Sequence, residues 1–134
     1  MSVPQAELDA MLESLKKTVA AFIDQDFDAL ANLYTEDCTL VPPGSVPLKG
    51  RAAVKGAVKE FSKFGVVGIK VSNEEQRPMG EYIFDTHESQ ALDKDNKVVD
   101  TMNVAMIWRK DDDGLWRILF EMANSQTPPK PPSS

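Results

Sequence analysis

The hydrophobic period of this chain changes once, at Gly65, and that change limits the folds open to it more than any other feature. Before Gly65 the apolar residues recur at intervals of three and four, the repeat of one helix face. After it they alternate, the repeat of a strand with one buried side. Leu8, Met11, Leu12, Leu15, Val19, Phe22 and Ile23 form a long stripe opposite Asp9, Glu13, Lys16 and Lys17. Ser2 as a cap, Gln5 three residues on and Pro4 in the first turn predict where this helix starts. Asp24-Gln25-Asp26 breaks it, and Asp26 or Asp28 caps a second, shorter helix that turns Phe27, Leu30, Leu33 and Tyr34 inward. Cys38 to Val41 reads as a short strand closed by Pro42-Pro43-Gly44. Proline has no N–H to give to a ladder, so this strand is expected to lie at a sheet edge or to be very short.

Val54, Ala57, Val58, Phe61 and Phe64 predict a third helix from Arg51 to Phe64, with Gly65 placed to end it in a left-handed conformation. Strands are then predicted over Val66–Ser72, Met79–Leu92, Lys97–Lys110 and Leu115–Asn124, with polar turns at Asp93–Asn96 and Asp111–Gly114. Turns that short join antiparallel neighbours. Helices early and strands late define an α+β chain, with three N-terminal helices on one face of a mostly antiparallel sheet.

The charge excludes some partners. A net charge of −6 with no basic run argues against nucleic acid and against an anionic membrane surface. Cys38 is the only cysteine, so neither an intramolecular disulfide nor a cysteine-based zinc site is available. The N-terminus lacks a signal-peptide pattern and no apolar run reaches the roughly 20 residues of a membrane span. The chain is therefore expected to be cytoplasmic. Residues 1–125 form a single domain, and the Pro-rich stretch 126–134 is expected to be a disordered end, with a polyproline-type ligand as the alternative.

The order of these elements, the segment DFDALANLYTEDCTLVPPGS…LKGR and the ending DGLWRILFEMANS resemble the nuclear transport factor 2-like superfamily, and within it the SnoaL-like proteins of unassigned function. The resemblance spans roughly Leu8 to Ser125. It implies a cone-shaped fold, in which a strongly curved sheet wraps the helices around a pocket, and a homodimer formed through the sheet. The superfamily includes isomerases, cyclases, dehydratases and members that only bind or assemble, so the fold leaves the function open. Comparison with its ketosteroid isomerases would seat the catalytic base near Pro42, a helical tyrosine near Thr18 and a later acid near Asn103 or Val104. None of these residues can fill its role.

The sheet supplies the remaining candidates. Met102, Val104, Met106 and Trp108 share one face of their strand and read first as core, with a soft, ligand-adaptable wall as the alternative. In the last strand Phe120, Met122 and Asn124 alternate with Glu121, so a concave Asn124 face would leave Glu121 outside unless a bulge intervenes. On the strand Met79–Leu92, if Tyr82 and Phe84 face the core, Glu88 joins them and His87 points outward. The candidate ligand-binding residues are thus Tyr34, Met106, Trp108, Phe120, Met122 and Asn124, and the candidate acids and bases are Glu88, Glu121 and His87.

No cofactor is implied, and no metal. Asp111–Gly114 lacks the alternating ligands of a calcium loop and has Met122 where the loop needs a glutamate. The leading expectation is a protein that binds a small apolar or amphipathic molecule. The alternatives are an isomerase, cyclase or dehydratase that uses a pocket carboxylate, and a dimeric assembly module.

Overall fold

The computed structural model describes residues 3–128 and 131–132. The chain runs α1 (Gln5–Ile23), α2 (Phe27–Asn32), β1 (Tyr34–Val41), β2 (Leu48–Lys49), α3 (Arg51–Ser62), β3 (Gly68–Met79), β4 (Tyr82–Leu92), β5 (Val98–Lys110) and β6 (Trp116–Ser125). All strands join one mixed sheet in the order β2-β1-β6-β5-β4-β3, in which only the β1–β6 pairing is parallel.

Helix α1 buries Met11, Leu15 and Phe22 from its predicted stripe and Ala21 besides, while Ile23 at its end is exposed. Pro4 occupies its N-cap position without a side-chain cap, and the predicted cap Ser2 lies outside the described residues. Asp26 caps α2, its carboxylate accepting from the Ala29 N–H at 3.1 Å. Gly65 has φ +81°, the left-handed conformation expected of it, although α3 stops at Ser62.

Two predicted boundaries move for tertiary reasons. Leu33 and Tyr34 leave the second helix because the last strand takes over their backbone. The Ile118 N–H donates to Leu33 O at 2.9 Å, and the Arg117 guanidinium donates to Asn32 O at 2.7 Å. β1 therefore begins at Tyr34 and lies between β2 and β6, which corrects the expected edge position. Pro42 and Pro43 fall just beyond Val41, so the N–H groups they lack were never needed by the ladder. The true edges are β2 and β3. β3 runs on to Met79 through the polar stretch Asn73–Arg77, and Gly80 at φ +65° turns the chain into β4.

The core lies between the helices and the inner sheet face, where Met11, Val54, Ile83, Trp108 and Ile118 have no accessible surface. Phe22 and Phe61 close its helical side with ring centroids 5.8 Å apart. At the other end the chain stays tied to the sheet beyond residue 125. The Gln126 N–H donates to Thr101 O at 2.8 Å and the Thr127 hydroxyl to Asp100 at 3.2 Å. Pro129, Lys130, Ser133 and Ser134 of the predicted tail lie outside the described residues.

Candidate functional site

Strand parity decides which side chains reach the interior. On β5 the inner set is Met102, Val104, Met106 and Trp108, all buried. Their partners on β4 are Ser89, His87, Asp85 and Ile83, so these face inward as well. That inverts the expectation for β4. His87 is 5% exposed and inside, whereas Tyr82 and Glu88 are outside. The ends of the stripe carried the right signal, since Ile83 and Ala91 are its apolar members and neither has accessible surface.

On β6 one extra residue resets the alternation. Trp108 pairs with Ile118 and the next residue back, Ile107, pairs with Phe120, leaving Leu119 as a bulge. Beyond it Glu121 pairs with inward Met106, and Ala123 with inward Val104. Phe120, Met122 and Asn124 are therefore turned away from the interior, a correction to the ligand-facing role expected of them. Met122 and Asn124 instead join Glu88 in a shallow depression on the outer face, bounded by Pro42, Ser45 and Asn73. Glu88 accepts there from the amides of Asn73 and Gln126, and these bonds hold its carboxyl below the ordinary carboxylate range.

Between the inner face and the helices lies a cavity of about 190 Å³. Phe22, Phe61, Val58, Val104 and Met106 supply much of an apolar lining that contains no lysine or arginine. Its polar members are Thr18, Tyr34, His87, Ser89 and Glu121. Pro42, Thr18 and Val104, the positions compared with the isomerases, also face it, without an acid among them. Of the ligand-binding candidates, Tyr34 and Met106 line the cavity, while Trp108 is sealed behind it.

Two hydrogen-bonded pairs reach this space. The Tyr34 hydroxyl donates to Glu121 Oε1 at 2.5 Å. Burial raises the Glu121 carboxyl above its ordinary range; the Tyr34 bond and the charge of His87 oppose that rise. Burial, followed by the neighbouring Glu121 charge, drives the Tyr34 phenol well above its usual value. Glu121 is only half-buried by accessible area, and the cavity that it lines accounts for that surface.

The second pair is Asp85 and His87, with His87 Nδ1 3.2 Å from Asp85 Oδ2. Asp85 has no accessible surface. It also accepts from Trp108 Nε1 at 3.4 Å and from the Gln76 amide at 2.9 Å. Trp108 and the Gln76 amide nitrogen can only donate, so the environment of Asp85 suits an acceptor, and a proton on His87 Nδ1 would complete that set. Nε2 of His87 makes no hydrogen bond among the described residues. Asp85 was missed in the sequence because the parity chosen for β4 sent it outward.

Arg51 donates to Tyr34 O at 2.8 Å and so braces the start of β1, and its guanidinium also lies 3.7 Å from Glu36 Oε1. Among the described residues no group of three or more His, Cys, Asp or Glu side chains is placed to hold a metal. No helix among them is long and apolar enough to cross a membrane.

Helices on one side of a curved mixed sheet, enclosing an apolar cavity, define a cone-shaped α+β architecture shared by proteins with many activities. Residues 15–118 match the SnoaL-like domain, and the chain belongs to that family within the nuclear transport factor 2-like superfamily. A protein of unknown function with a cystatin-like fold from Nostoc punctiforme superposes with TM-score 0.83 at 12% identity, over 94% of this chain and 96% of that one. A nuclear transport factor 2-like protein from Novosphingobium aromaticivorans gives 0.79 at 15% identity, over 90% and 82%. A structure from Catenulispora acidiphila, in complex with S-DNPA, gives 0.78 at 19% identity, over 90% and 95%. A search of curated proteins finds no match. Identities this low establish the fold alone.

Proposed function

We propose that this protein binds a small, largely apolar molecule in the cavity and moves a proton on it, in an isomerase- or dehydratase-type reaction. One observation carries the reading: two hydrogen-bonded acid–base pairs, His87–Asp85 and Glu121–Tyr34, open onto the same apolar space. A lone buried polar group is costly, and two pairs facing a cavity without a structural partner between them are better suited to a ligand than to stability alone. In this scheme His87 Nε2 takes a proton from a carbon beside a carbonyl, becoming imidazolium, with Asp85 fixing its orientation. In the same scheme Glu121 is protonated and hydrogen-bonds to the carbonyl oxygen as charge builds there, keeping its proton. Return of the His87 proton to a different carbon gives the isomer; where the substrate carries a β-hydroxyl, that proton goes instead to the leaving oxygen, which departs as water and leaves the dehydrated product.

The Catenulispora protein, with the same fold, is seen in complex with S-DNPA, which supports reading this fold as one that can hold a ligand. Native mass spectrometry of protein from its own source should detect a retained small molecule. Solvent deuterium exchange into a panel of enolisable cyclic ketones, followed by NMR, should fall about 10²- to 10⁴-fold in His87→Gln. Exchange that His87→Gln and Glu121→Gln both leave unchanged would remove the chemical part of the proposal.

Pairing of two copies through the outer sheet face belongs to the same proposal. Met122, 47% exposed there, lies in the outer depression and is the residue to test. Light scattering should give a dimer, and Met122→Asp a monomer; a monomeric parent protein at micromolar concentration contradicts it.

A further inference from the structure

Resting on the reading of the cavity as a ligand site, we infer that its ligand is an uncharged molecule built on a single six-membered ring, with one oxygen function and a removable proton across the ring from it. Size carries the first part. An apolar cavity of about 150 Å³ accommodates benzene. At about 190 Å³ this one matches a ring with a substituent or two.

The lining carries the second part. No lysine or arginine borders the cavity, while Glu121 lies in its wall and Asp85 directly behind His87. A carboxylate or phosphate brought here would be desolvated beside two carboxyl groups, with His87 as its sole cationic partner. The anion's gain from that one imidazolium would in turn cost His87 its role as a proton acceptor.

The sheet carries the third part. β5 separates β4 from β6. His87 is in register with Val104 and Ala123, and Glu121 with Met106 and Asp85, so His87 and Glu121 face each other diagonally over Val104 and Met106, two strand spacings apart across the sheet and two residues along it, a backbone separation of about 12 Å. A ring lying on Val104 and Met106, beneath Phe22 and Phe61, would present its oxygen to the Glu121–Tyr34 pair and its opposite edge to His87 Nε2.

The test uses probes of graded size and charge. His87 is the only histidine, so its imidazole signals in a carbon-13 spectrum report cavity occupancy directly. Phenol and cyclohex-2-enone should shift those signals saturably at pH 8. Benzoate should bind at least ten-fold more weakly than benzamide, its uncharged near-isostere, and 2-naphthol, one fused ring larger than phenol, at least ten-fold more weakly than phenol. Benzoate binding as tightly as benzamide, or 2-naphthol as tightly as phenol, would overturn the charge or the size assignment respectively. Failure of both phenol and cyclohex-2-enone to shift His87 would overturn the inference outright. If these probes bind as expected but no deuterium exchange is found, the proposed chemistry falls and the ligand class stands. Exchange on a larger or charged substrate would do the reverse.

Discussion

Replacing Glu121 by Gln should raise stability in a strictly pH-dependent way. Gln keeps the shape and can still accept the Tyr34 hydroxyl bond, now at 2.5 Å, so the two proteins should match in acid, where Glu121 is protonated in both folded and unfolded chains. Burial lifts the folded-state affinity of Glu121 for its proton above the ordinary value of 4.5. From about that pH upward the folded chain keeps a proton that the unfolded chain has released, so native stability falls as pH rises through the folded pKa. The slope for one proton is at most about 1.4 kcal/mol per pH unit. Gln has no proton to hold, and the difference between variant and parent isolates this one group. For a chain of this size each kcal/mol corresponds to roughly 3–5 °C in melting temperature. Melting curves from pH 4 to 9 should show the Gln variant drawing ahead with pH and then holding a constant lead once Glu121 is ionised in both states. A difference that stays flat, or that turns against the variant as pH rises, would mean that Tyr34 and His87 outweigh burial and keep Glu121 ionised in the folded protein.

Two further substitutions probe the opposite wall and the core. Asp85→Asn presents an amide N–H₂ to donors that the carboxylate now satisfies, leaving a buried donor unpaired, and should cost about 1–3 kcal/mol in urea unfolding. In the same variant the nitrogen-15 shifts of His87 should show its proton no longer confined to Nδ1, and unchanged shifts would contradict the orienting role given to Asp85. Met11→Ala empties a fully buried position where α1 meets the core and should cost about 2–5 kcal/mol, read from the same denaturant midpoints.

The helices, the order of the elements and the α+β class were legible because they rest on local information. Three-four spacing, the cap at Asp26 and the left-handed Gly65 each act within a few residues. Strand faces were less legible, because parity is a global choice read from local residues. On β4 the aromatic rings of Tyr82 and Phe84 suggested one face, but pairing with the buried side of β5 imposes the other. A buried Asp85 is tolerable only because Trp108 and Gln76 reach it, and Gln76 comes from a polar edge stretch with no apolar alternation to announce it. On β6 the sequence raised the possibility of a bulge without locating it. Leu119 looks like any other apolar strand residue until its neighbours' pairings are known.

The two misread strands are the two that carry the candidate chemistry, and physics connects those facts. A sheet facing a core is read by its apolar residues, so a position that puts an acid or a histidine inside breaks the rule used to assign the face. Asp85, His87 and Glu121 break it three times, and each has a hydrogen-bond partner on its own or another strand to offset the loss of water. Pro42, Thr18 and Val104 still line the cavity, but Thr18 turns its hydroxyl back to Leu15 O at 2.6 Å and the other two carry no polar side chain. These three positions thus present no group able to move a proton, while the sheet presents two hydrogen-bonded pairs. A merely structural pocket would have had no reason to gather them there, because aliphatic residues would fill the same positions without any desolvation cost.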